Sequence, residues 1–198
     1  MKKLLFALAT TTMLSAPTFA QSIGEKTGVN STLGIAPKTQ DFITEAAGSD
    51  MLEIAAAKVA QQKGNAEEKQ FAAQMITDHT KTSADIKQFI ADGTVKAELP
   101  TTLTPTAQNK LEKLQNAKPE EFAATYDPMQ VSVHEDAVSL FERYAKGGDD
   151  AKLKDWADKT LPSLRHHLAM AQQIENTRRG ATVGSAPSRE TPAPYGAK

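Results

Sequence analysis

Three histidines and one glutamate are the residues of this chain whose types and positions could do chemistry together. They are His79, His134, His167 and Glu53. Imidazole nitrogens and carboxylate oxygens bind Zn, Cu, Fe(II), Co and Ni, so a convergent set of them predicts a site for one transition-metal ion. The chain has no cysteine, which excludes a thiolate site, a disulfide framework, a cysteine nucleophile and lipidation of an N-terminal cysteine.

The clearest setting is that of His167, within residues 153–174. Positions separated by four and three residues keep their side chains on one face of an α-helix. In this segment that face consists of Leu153, Ala157, Thr160, Leu164, His167, Ala171 and Ile174. The neighbouring His166 lies on a different, mostly polar face. Periodicity therefore selects His167 as the inward histidine of the pair.

The other three candidates occupy similar stripes. His79 shares its stripe with Ala72, Met75, Thr82, Ile86 and Phe89, and His134 shares its stripe with Gln130, Ala137, Phe141 and Ala145. Glu53 lies among small and apolar residues, where an unpaired carboxylate is costly, and Asp50 on the adjacent stripe is the alternative acid. Each residue alone also fits a core residue that hydrogen-bonds a neighbouring helix or an internal water.

Four long amphipathic helices position these stripes. Periodic segments and capping residues predict helices at about residues 39–63, 66–92, 119–146 and 149–176. Glycines after the first and third helices predict tight turns. Residues 93–118 carry several prolines and one short helical segment, at about 106–115, so we expect a long crossover there. The interior prolines Pro128 and Pro162 predict bends in the last two long helices.

The two ends of the chain differ from this helical region. Lys2 and Lys3 precede an apolar run and a small-residue boundary at Ala20, a pattern typical of a signal peptide. We therefore expect export to a bacterial periplasm. The predicted divisions are a signal peptide over 1–20, a flexible lead-in over 21–38, a helical bundle over 39–176 and a disordered tail over 177–198.

Composition excludes some partners. The formal net charge is −1 and no basic block occurs, which argues against a nucleic-acid binder. No segment beyond the leader is long and apolar enough to span a bilayer. The sequence indicates neither a protein partner nor an oligomeric state.

Together the segments predict an all-α fold, a four-helix bundle whose long crossover carries a short extra helix. Glu53 and His79 lie at similar chain distances from the first tight turn, matched to within about one helical turn. His134 and His167 lie at similar distances from the second turn. All four side chains then fall near the middle of the bundle, one from each helix. The sequence therefore predicts a shared metal site; the alternative is four unrelated inward polar groups.

Four segments carry a pattern beyond helical periodicity. They are the region from Phe42 to Glu53, Phe71-Ala72-x-x-Met75-Ile76-x-Asp78-His79, Tyr126-x-x-x-Gln130-x-x-x-His134 and Leu161-Pro162-x-Leu164-x-x-His167-Leu168. In this order they resemble an exported bacterial family catalogued as a domain of unknown function, over roughly residues 39–174. Its members are often labelled outer membrane proteins and are assigned a ferritin-like fold. The resemblance implies a ferritin-like bundle with the four candidate ligands at the family's characteristic positions, and it implies no activity.

The residues disfavour a di-iron centre, which the ferritin-like resemblance would invite. Di-iron carboxylate bundles use a Glu-x-x-His pair on each of two helices. Here the positions three residues before the histidines are Ile76, Val131 and Leu164. A mononuclear site of three histidines and one glutamate remains, closed if all four bind and open if Glu53 does not.

Three functions are compatible with such a chain. The first is a periplasmic metal-binding bundle for sequestration, sensing or stability. The second is a metal-free envelope or stress-related protein that acts through a partner. The third is a hydrolase or redox enzyme with an open metal position. No Ser-His-acid arrangement, glycine-rich phosphate loop or cofactor fingerprint occurs in the sequence, so we favour the first and lean away from an enzyme.

Overall fold

The structure is a computed structural model that describes residues 22–184, and this part of the chain is helical with no strand. The predicted signal peptide, over residues 1–20, and the last part of the predicted tail, over 185–198, lie outside the described residues. The helices are α1 Ile23–Lys26, α2 Val29–Thr32, α3 Thr39–Lys63, α4 Ala66–Ala91, α5 Pro105–Asn116, α6 Pro119–Gly147 and α7 Ala151–Gly184. The predicted all-α class is confirmed. Within residues 22–184, no helix combines the length and the hydrophobicity that crossing a bilayer requires.

The helices begin where the sequence supplies capping groups. Asn65 and Glu68 form a capping box at the start of α4, in which each side chain accepts a hydrogen bond from the other residue's backbone N–H. Thr104 caps α5 by accepting from the Ala107 backbone N–H, and Pro105 occupies the first helical position. Because these groups satisfy otherwise orphaned backbone donors, the helix starts are fixed and the registers of the inward stripes follow.

The four long helices pack as a closed ring. α3 packs extensively against α4, and α6 against α7, so each pair joined by a tight turn is one well-packed unit. The two units meet along two sparser seams, α3 with α6 and α4 with α7. The short helix α5 lies against α3 and α6, on the seam opposite to α4 and α7. One seam is therefore covered by the crossover, whereas the other is not.

Two apolar clusters fill the core at different levels along the helices. The first contains Phe42, Ile43, Ala46, Ala47, Ile86, Val95, Ala137, Leu140, Phe141, Tyr144, Leu153, Ala157, Leu161 and Leu164. The second contains Ala56, Ala57, Ala60, Phe71, Ala72, Met75, Leu114, Phe122, Tyr126, Ala171 and Ile174. Each long helix contributes to both clusters, and the four candidate ligands fall in the sequence gaps between the two contributions. The core is thus two apolar halves with one polar layer between them.

Trp156 packs against the first half of the core. Its ring contacts those of Phe42, Phe89 and Phe141. The indole N–H donates to Asp85 Oδ2 at 3.2 Å, so the polar edge of the ring is satisfied at the rim of the core.

The segment expected to be a flexible lead-in carries the two single-turn helices α1 and α2. Glu25 of α1 forms a buried ion pair with Arg143 of α6, at 3.1 Å between Oε1 and Nη1, and Arg143 also donates to the Ile35 carbonyl. This long-range pair holds the segment against α6 and has no signal in the local composition.

Helix α7 continues past residue 176, where the tail was predicted to begin. Arg178 donates from Nε to Asp127 Oδ2 at 2.9 Å, which ties the extra turns of α7 to α6. Arg179 lies 2.5 Å from Glu175 one turn earlier. These ion pairs stabilise helix in a stretch whose glycine and threonine content argues against it.

Candidate metal centre

Three histidines from three helices converge in the polar layer. His79 of α4, His134 of α6 and His167 of α7 are 3%, 1% and 2% exposed. Their ring centroids lie 5.8 Å apart for His79 and His134, and 5.6 Å apart for each of the other two pairs. One nitrogen of each ring lies within 4.8 Å of one nitrogen of both other rings. The structure therefore brings together all three histidines that the periodicity selected.

Each ring is held from behind by a hydrogen-bond acceptor. His79 Nδ1 lies 2.8 Å from Asp50 Oδ1, His134 Nδ1 lies 2.8 Å from the Gln130 carbonyl oxygen, and His167 Nε2 lies 2.8 Å from Asp78 Oδ2. A carbonyl accepts only, and so does an ionised carboxylate. The nitrogen facing it must carry the proton, which fixes the tautomer of each neutral ring.

The opposite nitrogens face inward as lone pairs. They are His79 Nε2, His134 Nε2 and His167 Nδ1, and within the described chain all three are buried without a hydrogen-bond partner. A buried acceptor without a donor costs about 1–3 kcal/mol, so three at one place are unfavourable unless something else satisfies them. The arrangement provides a site for a cation at the centre of the three rings.

The spacing of the rings fits a metal ion. A zinc ion about 2.1 Å from three imidazole nitrogens holds the ring centroids roughly 5.2 Å apart in tetrahedral geometry and roughly 5.6 Å apart in trigonal geometry. The observed separations of 5.6–5.8 Å are close to the trigonal value. Acceptors behind the coordinating rings are the usual outer partners of histidine ligands, because they orient the ring and raise its basicity.

Glu53 of α3 is buried beside this cluster and does not belong to it. Its side chain is fully inaccessible, and neither carboxylate oxygen has a partner in hydrogen-bond geometry among the described residues. Burial raises the pKa of Glu53, opposed by the nearby His79, Gln130 and His167. The three-histidine cluster, whose ligand atoms lie within 4.8 Å of one another, does not include this carboxylate. Glu53 therefore adds negative charge next to three lone pairs, where a cation would be stabilised.

Two of the histidines are neutral at ordinary pH. Burial and the charge of His79 together lower the pKa of His134 to about 4. Burial also lowers the pKa of His167 to about 4, although the hydrogen bond with Asp78 opposes it. Neutral rings keep their inward lone pairs available, which is the form that a metal ion requires.

His79 differs from the other two. Burial disfavours its charged form, but the hydrogen bond with Asp50 and the charges of Glu53, Asp50 and Asp78 outweigh burial, so the pKa of His79 is raised. A proton on Nε2 can therefore replace a metal ion in compensating the carboxylates around this ring. Metal binding at this ring must displace that proton.

The sequence predicted the three inward histidines, but it did not predict the acceptors that hydrogen-bond their rings. Asp50 was weighed only as a substitute ligand, and Asp78 was noted only as lying on a flank of His79. In the structure Asp78 contacts His167, across the seam, rather than its chain neighbour. Gln130 contributes its backbone carbonyl. Asp78, directly before His79, and Asp50, one turn before Glu53, were the available signals, but assigning each to a ring needed the helix packing.

An all-α protein with a buried three-histidine cluster is the class that the fold and this site define. A family model described as a domain of unknown function, DUF4142, matches residues 24–174, and the chain belongs to this family. The resemblance that the sequence motifs indicated is thus confirmed. Comparisons with curated proteins and with solved structures gave no match.

Proposed function

We propose that this protein is an exported, ferritin-like four-helix bundle that binds one transition-metal ion. The ligands are His79 Nε2, His134 Nε2 and His167 Nδ1, with the Glu53 carboxylate beside them. One observation carries the proposal: three buried ring nitrogens converge, each on a ring whose other nitrogen is held by an acceptor, and none of them has a hydrogen-bond partner among the described residues. A metal ion satisfies all three at once.

The ferritin-like assignment is supported by the ring of α3, α4, α7 and α6 and by the long crossover with α5. The site departs from a di-iron centre in its ligands. Histidines supply three positions and Glu53 is the acid on α3, whereas di-iron bundles use several bridging carboxylates. A single ion of the Zn, Cu or Fe(II) type matches an imidazole-rich site without thiolates.

Such an ion would act as a cross-link within the bundle. Glu53 and His79 belong to the α3–α4 unit, whereas His134 and His167 belong to the α6–α7 unit. These units share only the two sparse seams, so a metal bound to both joins the parts that packing joins least. The proposed role is to retain or sense a metal ion in the periplasm, with the stability of the bundle coupled to occupancy.

Elemental analysis of the mature protein, purified without chelator or affinity tag, tests the proposal directly. We expect about one equivalent of a single transition metal in the wild type and little in His134→Ala, because that variant loses a ligand from the best-packed of the three rings. The matched control is His166→Ala, which removes the exposed histidine next to His167.

Two results would count against a metal site. Wild-type protein that is empty and takes up no Zn, Cu or Fe at micromolar concentration contradicts it. So does equal loss of metal from the two alanine variants, which would indicate adventitious binding to exposed histidine. The buried rings would then be core hydrogen-bonding residues, and the alternative of a metal-free envelope protein would gain support.

A further inference from the structure

The seam between α4 and α7 is the open side of the bundle. These two helices share few contacts, and the crossover helix α5 packs on the opposite seam, between α3 and α6. Leu111 of α5 forms an apolar cluster there with Leu52 and Val133. Of the two seams that join the helical units, the covered one therefore has an apolar cluster beneath α5.

A groove in the open seam reaches the histidine cluster. It is a cavity of about 280 Å³ whose walls include both His79 and His167. The other lining residues are Asp78, Lys81, Thr82, Asp85, Trp156, Lys159, Thr160, Ser163 and Leu164. Two of the three unpartnered ring nitrogens belong to these lining histidines.

The acceptors behind the three rings are not equally accessible. The Asp50 side chain, behind His79, is 7% exposed, whereas the Asp78 side chain, behind His167, is 30% exposed. Asp78 thus lines the groove, and its Oδ2 accepts the hydrogen bond from His167 Nε2. A cation in the groove can reach this carboxylate before it reaches any ring nitrogen.

Two features favour movement of His167. It lies on the seam between α4 and α7, where contacts are few, and Pro162, five residues earlier in α7, has no backbone N–H to donate to the preceding turn. The two lysines of the groove are paired with aspartates, Lys81 with Asp85 at 2.8 Å and Lys159 with Asp155 at 2.6 Å. This pairing reduces their repulsion of an incoming cation.

We propose that the metal ion enters and leaves through the α4–α7 groove, with Asp78 as the first carboxylate that it meets and His167 as the ligand that moves to admit it. The inference rests on the proposed function, since it concerns the same centre. It assigns Asp78 two roles, positioning His167 in the closed state and receiving the ion when that ring turns away.

Rapid mixing with Co²⁺ tests the route, because the visible absorption of the bound ion reports occupancy of the nitrogen site. Ser163→Trp places a large side chain in the groove at an exposed position of α7. We expect uptake to slow by about tenfold or more, and release to excess chelator to slow by the same factor, because a gate changes both rates and leaves affinity unchanged.

Ser49→Trp is the matched control. Ser49 lines a cavity of similar size, about 240 Å³, on the covered side of the bundle. We expect wild-type uptake in this variant. Equal slowing in both tryptophan variants, or wild-type rates in Ser163→Trp, would refute the α4–α7 route while leaving the metal centre intact.

A second pair keeps the test decisive if Ser163→Trp fails to fold. Lys159→Trp fills the same groove from an exposed position, and Lys110→Trp fills the control cavity. Slow uptake in Lys159→Trp alone supports the route, and unchanged uptake refutes it. Wild-type protein that gives no Co²⁺ spectrum is a different failure, since it removes the proposed metal centre itself.

Discussion

Two buried polar clusters lie in the same core, and they differ in the cation that the chain supplies to each. In the histidine layer, which holds the Glu53 carboxylate and three ring nitrogens without a partner among the described residues, that cation is a proton on His79. The second cluster, Glu68 with Asp127, lies where α4 begins beside α6 and has Arg178 as its cation. Both clusters are nearly inaccessible to solvent, so burial alone does not distinguish them.

The acid cluster is balanced by groups that the chain itself provides. Asp127 Oδ2 accepts from Arg178 Nε at 2.9 Å, and Glu68 Oε2 accepts from the Asn65 backbone N–H at 2.7 Å. Burial and the neighbouring charge of Glu68 together raise the pKa of Asp127 to about 7, against the opposing effect of Arg178. One oxygen of each acid, Asp127 Oδ1 and Glu68 Oε1, is buried without a partner among the described residues, and a proton retained by Asp127 near neutral pH reduces the repulsion between the two groups.

The comparison indicates how a function can be inferred from a buried polar cluster. From residue types alone, the histidine layer and the acid cluster both contain acids, and either one would be interpreted as a metal site. The difference appears when the partners of each polar atom are assigned, because the two unpartnered oxygens of the acid cluster, Glu68 Oε1 and Asp127 Oδ1, can share one proton. In the histidine layer a single proton on His79 Nε2 can be donated to only one of the other two ring nitrogens, whereas a metal ion satisfies all three.

Removing His134 should have the largest effect, which is on the stability that zinc adds. It distinguishes the two clusters because only the histidine layer is proposed to bind metal. Zinc at about a thousand times its dissociation constant stabilises a folded protein by about 4 kcal/mol. For a domain of this size that raises the melting temperature by roughly 8–16 °C. We expect this rise in wild type and in His166→Ala, and its absence in His134→Ala, measured by calorimetry with and without chelator.

His166→Ala is the control for zinc bound at the protein surface. His166 is exposed beside His167, so its loss removes a surface zinc ligand and leaves the buried cluster intact. A zinc-dependent rise that persists in His134→Ala, or disappears in His166→Ala, would place the binding outside the core.

Much of the fold could be predicted from the sequence because its signals are local. The stripe spacing and the capping residues give α3 as Thr39–Lys63 and place α4, α5 and α6 within about one or two residues of their observed bounds. The inward orientation of His167 rather than His166 follows from the same periodicity. The helix bounds and the orientation of His167 depend on residues within a few turns of one another, so they can be inferred from a single sequence.

The parts that could not be predicted depend on contacts between distant residues. Glu25 pairs with Arg143, and Asp78 pairs with His167, over separations of 118 and 89 residues. Composition predicted a flexible lead-in over residues 21–38 because it contains no sign of the first pair, and the position of Asp78 next to His79 in the chain gave no sign of the second. Similarly, the distance of Glu53 from the three rings depends on the packing of α3 against α6, which periodicity does not determine.

Replacing Glu53 by Gln should produce opposite effects with and without metal. In chelator-treated protein near neutral pH, Glu53→Gln should raise the free energy of unfolding by about 1–2 kcal/mol, because burial raises the pKa of Glu53 and the folded state therefore disfavours its ionised form. With metal present, the loss of the negative charge should weaken binding by about 10-fold or more. Urea unfolding of the metal-free protein and a zinc titration against a competing chelator measure the two effects.

Glu68→Gln is the matched change in the acid cluster. The amide oxygen of Gln can still accept from the Asn65 backbone N–H, so the helix start is retained. We expect unchanged metal affinity in this variant. If Glu53→Gln binds zinc as tightly as the wild type, the carboxylate takes no part, and the centre has three protein ligands with an open position.

The smallest expected effect is a difference in pH dependence between the clusters in metal-free protein. Folding raises the pKa of Asp127 from 3.8 to about 7, so the folded state holds more protons across that interval and stability falls as pH rises. Folding lowers the pKa of His134 from 6.5 to about 4, so the unfolded state holds more protons there and stability falls as pH drops. The two groups thus oppose each other between about pH 4 and pH 6.5.

Asp127→Asn should therefore make the dependence of stability on pH more positive in this interval, whereas His134→Gln should make it less positive. For Asp127 we expect a change of about 1 kcal/mol across the interval, after allowance for solvent screening of its partner Arg178. Urea unfolding in chelator at several pH values measures both slopes. Slopes that change in the same direction would contradict the division into a cluster that retains a proton and a cluster that excludes one.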